Sequence, residues 1–103
     1  MATRQRLANR RGSETFDVES QGLKFTATVS RWDGGGIAEV FLQNHKAGSA
    51  AGIMASDAAI AASLAMQYGC PPEVLGRALS RDSRGNASGP LGCAIDEILH
   101  GKR

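Results

Sequence analysis

A single alanine-rich segment, residues 49–68, constrains this chain more than any other feature of its sequence. Alanine has the highest helix propensity, serine at position 49 is a favoured N-cap, and Gly69 follows as a typical helix end. The segment therefore predicts one long helix. Because the chain has only 103 residues, this helix must organise the rest of a single domain.

The predicted helix has two apolar faces that differ in side-chain size. At about 100° per residue, the large side chains share one sector: Ile53, Ile60, Leu64 and Tyr68, with Ala61 and Met54 on its flank. The opposite flank carries mostly small side chains: Gly52, Ala55, Ala59, Ala62 and Met66. We expect the sector of large side chains to pack on a sheet. Ser56, Ser63 and Gln67 are expected to form a polar strip.

Three segments before the helix alternate apolar and polar side chains with the period of a β-strand: residues 14–20, 23–31 and 37–43. In the second segment, the side chains expected to face the core are Leu23, Phe25, Ala27 and Val29. Gly22 and the glycines at 34–36 permit tight turns between the segments. The pattern predicts a three-stranded antiparallel meander.

The third predicted strand carries large apolar side chains on both faces, with Val40 on one side and Phe41 on the other. A meander with one helical layer leaves a free edge and an apolar patch. A second copy of the chain would cover both, so we expect a homodimer.

Two shorter helices are predicted after the long one. Pro72 and Pro90 suit a first helical turn. The side chains expected to be buried in the first are Val74, Leu75, Ala78 and Leu79, and those in the second are Leu91, Ile95, Ile98 and Leu99. The order β-β-β-α-α-α predicts an α+β fold over residues 13–100, with the meander covered by one long and two short helices.

Composition and cysteine usage narrow the possible classes of function. No apolar run approaches the roughly 20 residues that span a bilayer, and the N-terminus lacks the apolar region of a secretory signal. We therefore expect a cytoplasmic protein without a membrane segment. Cys70 and Cys93 lie far apart in sequence, and neither clusters with His45 or His100, so two small buried thiols are expected and no metal site.

Residues 1–12 form a basic arm that contains four arginines and no acidic residue: Arg4, Arg6, Arg10 and Arg11. The arm is expected to be disordered. Two interpretations stay open, a solvated terminus or an arm that holds the phosphates of nucleic acid.

A candidate anion site lies at the start of the long helix. Lys46, Gly48 and Ser49 precede free backbone N–H groups, which together with the helix dipole favour an anion. The alternative is that Ser49 only caps the helix and that Lys46 is solvated.

A second candidate is the polar loop at residues 81–89. Arg81 and Arg84 carry guanidinium groups suited to phosphate, and Ser88 lies next to the start of the last helix. The alternative is a solvated loop with an Arg–Asp pair. If the loop folds over the start of the long helix, the two segments would form one pocket for a nucleotide or a nucleic-acid backbone.

Asp57 is a third candidate, because it lies in the sector of large apolar side chains. A carboxylate in such a place must be paired, protonated or at the rim of a cavity. We expect a structural pair with Arg81, Arg84 or a backbone amide. A small hydrolase or transferase using Asp57 and Lys46 is the less favoured alternative.

Several segments together resemble the TSCPD domain: residues 45–49, 57–59, 67–73, 78–79 and 89–92. This family is known as a C-terminal module of adenosylcobalamin-dependent ribonucleotide reductases and as short free-standing proteins. The family's Thr-Ser-Cys-Pro-Asp motif does not occur here. Residues 88–96 stand in its place, and within them only Cys93 and Asp96 resemble the motif.

The resemblance implies an accessory or regulatory module related to ribonucleoside-diphosphate reductase. Such a module would bind a phosphate-bearing ligand, a reductase or another protein, and adenosylcobalamin enters by family association alone. Reductase catalysis needs a barrel and a reducing cysteine pair for which this chain has no room, so no catalysis by the chain alone is expected. The alternative is a nucleic-acid-binding protein that uses the basic arm.

Overall fold

The computed structural model describes residues 3–4, 13–46 and 48–101 of the chain. The elements in chain order are β1 (Ser13–Ser20), β2 (Leu23–Arg31), β3 (Ile37–Asn44), α1 (Ala50–Gln67), α2 (Pro72–Ala78) and α3 (Pro90–His100). The strands form one sheet in the order β1-β2-β3, and both pairs are antiparallel. The predicted α+β fold is confirmed.

The turn between β1 and β2 fixes the register of the sheet. Gln21 and Gly22 both have positive φ angles, 54° and 76°, as a two-residue hairpin turn requires. This turn places Val18 opposite Phe25, and the next hairpin places Val29 opposite Val40. The inner face of all three strands is therefore apolar and forms the core.

Helix α1 packs on the sheet through its small side chains, which is the reverse of the predicted orientation. The buried residues of α1 are Ala55, Ala59, Ala62, Ser63, Met66 and Gln67. The large apolar residues are exposed instead: Ile53, Met54, Ile60, Leu64 and Tyr68. The reason is that alanine at positions 55, 59 and 62 lets the backbone of α1 lie close to the sheet.

Two polar side chains of α1, Ser63 and Gln67, are buried close to β3 and bind its backbone. The predicted polar strip is therefore wrong for both. Val40 N–H donates to Ser63 Oγ at 2.9 Å, and Ser63 Oγ donates to Val40 O at 3.0 Å. Gln67 Nε2 donates to Ala38 O at 3.3 Å. These bonds satisfy backbone groups of β3 at the sheet edge, which would otherwise be open to another strand. The homodimer remains a prediction. A strand of a second copy could not pair with β3 at Val40, because the backbone groups of Val40 already bind Ser63.

Arg4, in the predicted basic arm, contacts the same region. Its Nε donates to Gln67 Oε1 at 2.6 Å. The expected disorder of the arm stays a prediction. The other arginines of the arm, Arg6, Arg10 and Arg11, lie outside the described residues.

The two short helices meet at a glycine. A Cβ atom at Gly76 of α2 would lie 3.2 Å from Ile95 Cγ2 of α3, so glycine permits the close contact. Leu91 and Ile95 are buried as predicted. Val74 and Ala78 were expected to be buried but are exposed, because α2 has only seven residues and Gly76 is the buried one.

Among the described residues, α1 alone is long and apolar enough by length and composition to cross a membrane, with a mean hydropathy of 1.2. Core helices of globular domains meet the same criterion. Here 33% of α1 is buried, on the side that contacts β3.

Candidate functional site

The predicted anion site at the start of α1 is held together by its own side chains. Ser49 Oγ accepts a hydrogen bond from Gly52 N–H at 3.1 Å and caps the helix. Asn44 Oδ1 accepts from Ser49 Oγ at 3.3 Å and from Lys46 N–H at 3.0 Å. Gly48 has a φ of 78°, which suits glycine at this turn. The cap thus already uses the hydroxyl that was expected to help bind a ligand.

Asp57 lies beside this turn and does not face the sheet, as its sector of α1 was expected to do. Asp57, Lys46 and Gly48 line one shallow depression of about 450 Å³. The expected pair between Asp57 and Arg81 is absent, since Arg81 pairs with another carboxylate. Asp57 is exposed because its face of α1 points to solvent. The negative charge of Asp57 offsets the positive charge of Lys46 and reduces the attraction of this depression for a phosphate.

Arg81 is a structural cross-link. Its Nη1 and Nη2 donate to the two carboxylate oxygens of Asp96 at 2.8 and 2.9 Å, which is a bidentate pair. The same guanidinium donates to Gly76 O at 2.9 Å and to Gly85 O at 3.0 Å. The bond to Asp96 raises the pKa of Arg81. One side chain therefore links α2, the 81–89 loop and α3.

The remainder of the 81–89 loop is tied internally and to the β1–β2 turn. Asp82 Oδ1 accepts from the N–H groups of Arg84 and Asn86, both at 2.9 Å, and these bonds lower the pKa of Asp82. Ser88 O accepts from Ser20 Oγ at 2.7 Å. The side chain of Arg84 is exposed.

The structure does not bring the two candidate segments together. No residue of the 81–89 loop lines the depression that contains Lys46 and Gly48. The loop contacts the β1–β2 turn instead, so the expected joint pocket does not form among the described residues. The residues that hold the loop in this place, Ser20 and Ser88, are far apart in sequence.

Cys93 and Asp96, which occupy the place of the family motif, line one depression together. Its volume is about 600 Å³, and Lys24 and His100 also line it. Cys93 is half-buried, and its Sγ contacts Ala87 O at 3.6 Å. Burial is the main cause of a raised pKa for this thiol. A raised pKa favours the thiol over the thiolate, which is the form that attacks substrates and binds metals.

Asp96 should make the stability of the fold depend on acid pH. The bond to Arg81 holds the pKa of Asp96 below its ordinary value of 3.8. A group whose pKa is lowered on folding stabilises the fold above its unfolded pKa, and this contribution is lost as the pH falls through the folded pKa. Below about pH 4, the melting temperature of the native protein should therefore fall more steeply than that of Asp96→Asn. Asp57→Asn is the control for the change in charge, and equal slopes for the native protein and Asp96→Asn would contradict the prediction.

An apolar groove lies between the start of β2, the first half of α1 and the start of α3. Its volume is about 360 Å³. Its apolar walls are formed by Leu23, Phe25, Ala51, Met54, Ala55, Ala58, Leu79, Pro90 and Leu91. Leu23 and Met54 were assigned to the core from the sequence, but they are 43% and 70% exposed. No single motif marks this groove, because its walls come from four separate parts of the chain: β2, α1, the end of α2 and α3.

The solvent side of α1 forms a second apolar surface, the α1 stripe, which consists of Ile53, Ile60, Leu64 and Tyr68. Each of these side chains is between 39% and 53% exposed. The helical wheel grouped them correctly, but the side that faces the sheet is the opposite one. Asp57 is the charged residue on this side.

Comparisons with known proteins agree on a family. The sequence profile of the TSCPD domain matches residues 3–99, a range that includes most of the predicted basic arm. Two curated relatives are described as vitamin B12-dependent ribonucleotide reductases. The protein of Agrobacterium fabrum is 39% identical over 70 residues, which cover 68% of this chain. The protein of Bradyrhizobium diazoefficiens is 34% identical over 71 residues, which cover 69%. The match covers 6% of the length of each relative, and no solved structure matches.

Proposed function

Because the chain belongs to the TSCPD domain family, we propose that it is a non-catalytic accessory module that binds a protein partner in its apolar groove. The class of partner that we propose is a vitamin B12-dependent ribonucleotide reductase. In the two curated relatives, the matched segment is a small part of a much longer reductase chain. In those relatives, the segment related to this domain belongs to the same chain as the rest of the reductase, which can therefore contact it.

The groove is the observation that carries this proposal. Protein partners are commonly bound by burying a few apolar anchor side chains in a pocket. Leu23 and Met54 lie exposed at the groove, where burial of an apolar side chain contributes roughly 1.5–3 kcal/mol. An amphipathic segment of the partner would place its apolar side chains against these two residues.

The non-catalytic part of the proposal is supported by the state of the polar side chains. The thiol of Cys93 has a raised pKa, and the guanidinium of Arg81 is bound to Asp96 and to two backbone carbonyls. The guanidinium of Arg81 is thus engaged in holding α3 and its neighbours, and the raised pKa of Cys93 favours its thiol form. Turnover of ribonucleotides by the purified chain with reductant and cobalamin would overturn this part of the proposal.

The other candidate functions have less support. A phosphate ligand at Lys46 would lie in the same depression as the carboxylate of Asp57. A nucleic-acid interface on the basic arm would have to release Arg4 from Gln67. A partner protein in the groove requires neither change.

Calorimetric titration of the chain with a vitamin B12-dependent ribonucleotide reductase tests the proposal. We expect saturable binding that Leu23→Glu weakens at least tenfold, since a charge would enter an apolar contact. Phe41→Glu is the matched control, because Phe41 is 45% exposed, also lies on a strand and is distant from the groove walls. Absence of binding by the native protein, or equal losses in both variants, would refute docking in the groove.

A further inference from the structure

We infer that the α1 stripe is the contact surface for a second copy of the chain, with the two α1 helices antiparallel about a twofold axis. This inference uses the solvent side of α1, which borders the groove at Met54 and Ala58, and it does not depend on reductase binding. It also differs from a dimer through the outer face of β3, which the sequence had suggested.

The α1 stripe is an apolar surface on the side of α1 that faces away from the sheet. Ile60 is 48% exposed, whereas its neighbour Ala59 is 0% exposed on the sheet side. Single exposed apolar residues are common on protein surfaces and need no explanation. Here, however, four large side chains follow one another over about four turns on one side of α1, from Ile53 to the C-cap Tyr68, which makes an extended patch of the kind that marks interaction sites.

The spacing of the stripe fits pairing with another helix. Ile53 and Ile60 are seven residues apart, as are Asp57 and Leu64, and this is the repeat of helices that cross at a small angle. Alanines lie beside these large residues, and Ala58 and Ala61 are both exposed. Large side chains therefore alternate with small ones along the surface.

This alternation is self-complementary when the helices are antiparallel. With the twofold axis between positions 60 and 61, Leu64 of one copy enters the space among residues 54, 57, 58 and 61 of the other. Such a space, formed by residues i, i+3, i+4 and i+7, is the hole of knobs-into-holes packing. The small side chains of Ala58 and Ala61 leave room for Leu64, and Ile60 of each copy lies against Ala61 of the other.

The position of Asp57 selects the antiparallel direction. In a parallel pair, the two Asp57 carboxylates would lie side by side and repel each other. In the antiparallel pair, they lie on opposite sides of the twofold axis, about 10 Å apart along the helix direction at a rise of about 1.5 Å per residue. Each carboxylate can then stay at the rim and in contact with water.

The exposed area is sufficient for a specific dimer. With Met54 at the rim, five large side chains expose between 39% and 70% of their surfaces. If each has a full area of roughly 150–250 Å², they bury on the order of 500 Å² per copy, or about 1,000 Å² in total. Interfaces of about this size belong to weak, transient complexes, so we expect a dimer that dissociates upon dilution.

Light scattering across a range of concentrations tests the inference. The native protein should reach twice the monomer mass at high micromolar concentration. Ile60→Glu and Leu64→Glu should each shift the dissociation midpoint at least tenfold, with the melting temperature of the monomer unchanged. Phe41→Glu should leave the mass unchanged, and a loss of mass in this variant alone would assign the dimer to the sheet face.

Cysteine cross-linking tests the direction of the helices. Ala61→Cys should form a disulfide-linked dimer under mild oxidation, because the two copies of position 61 meet near the axis. Ala50→Cys is the matched control, since position 50 is exposed on the same helix but lies far from the axis. Equal cross-linking of both variants would overturn the antiparallel arrangement.

Two further results would overturn the inference as a whole. One is a native protein that stays monomeric at all concentrations. The other is a monomer that sediments with phospholipid vesicles, which would make the stripe a lipid-binding surface. Leu23→Glu should remain dimeric, so loss of reductase binding and loss of the dimer can be observed independently.

Discussion

Glutamate at position 59 should prevent the domain from folding, whereas glutamate at position 60 should leave the fold intact. Ala59 is 0% exposed against the sheet, and Ile60 is 48% exposed on the solvent side. An unpaired carboxylate at position 59 would be buried, which costs more than about 4 kcal/mol and exceeds the effect of most single substitutions. At position 60, the free energy of unfolding of the monomer should change by about 0.5 kcal/mol or less. Far-ultraviolet circular dichroism and thermal melts measure both effects.

A second pair of neighbours provides the matched control. Ala62 is 3% exposed and Ala61 is exposed, and both substitutions start from alanine. Ala62→Glu should therefore unfold the domain and Ala61→Glu should not. If the results at positions 59 and 60 are reversed, the large side chains of α1 face the sheet, as the sequence alone suggested.

The fold could be predicted because its determinants are local. Alternating residues define the strands, and the turn at Gln21 and Gly22 joins two of them. Ser49 caps α1, and proline lies in the first turn of α2 and of α3. Each of these signals acts within a few residues, so it can be recognised without knowledge of the tertiary contacts.

The orientation of α1 could not be predicted from side-chain size. The helical wheel separates two faces correctly, but it does not show how close the helix lies to the sheet. The hydrogen bonds of Ser63 and Gln67 to the backbone of β3 require a short distance. Alanine permits that distance, and the larger residues on the other face do not.

The candidate site shows the same division between local and distant contacts. The cap at Ser49 follows from its position in the sequence. The pair between Arg81 and Asp96 joins the first residue of the 81–89 loop to α3, and an Arg–Asp pair was expected only in general terms. The groove depends on the packing of Leu23, Met54 and Pro90 from three elements, so it becomes visible only in three dimensions.

Replacement of Ile95 by alanine should lower the free energy of unfolding by about 3–4 kcal/mol. Ile95 is 1% exposed, and the Cγ2 atom that lies close to Gly76 would be lost, which leaves a cavity between α2, α3 and the sheet. Ile98→Ala is the control on the same helix, because Ile98 is only partly buried and its loss should cost about half as much.

The same substitution links the packing of α3 to the groove. Leu91 lies one turn before Ile95 and forms part of the groove wall. A cavity at position 95 allows α3 to shift towards it, so Ile95→Ala should also weaken reductase binding at a temperature where the variant is still folded. Chemical denaturation measures the loss of stability, and calorimetric titration measures the loss of binding. If Ile95→Ala costs no more than Ile98→Ala, then α3 is not anchored at Ile95, and the groove must be held by the pair of Arg81 and Asp96.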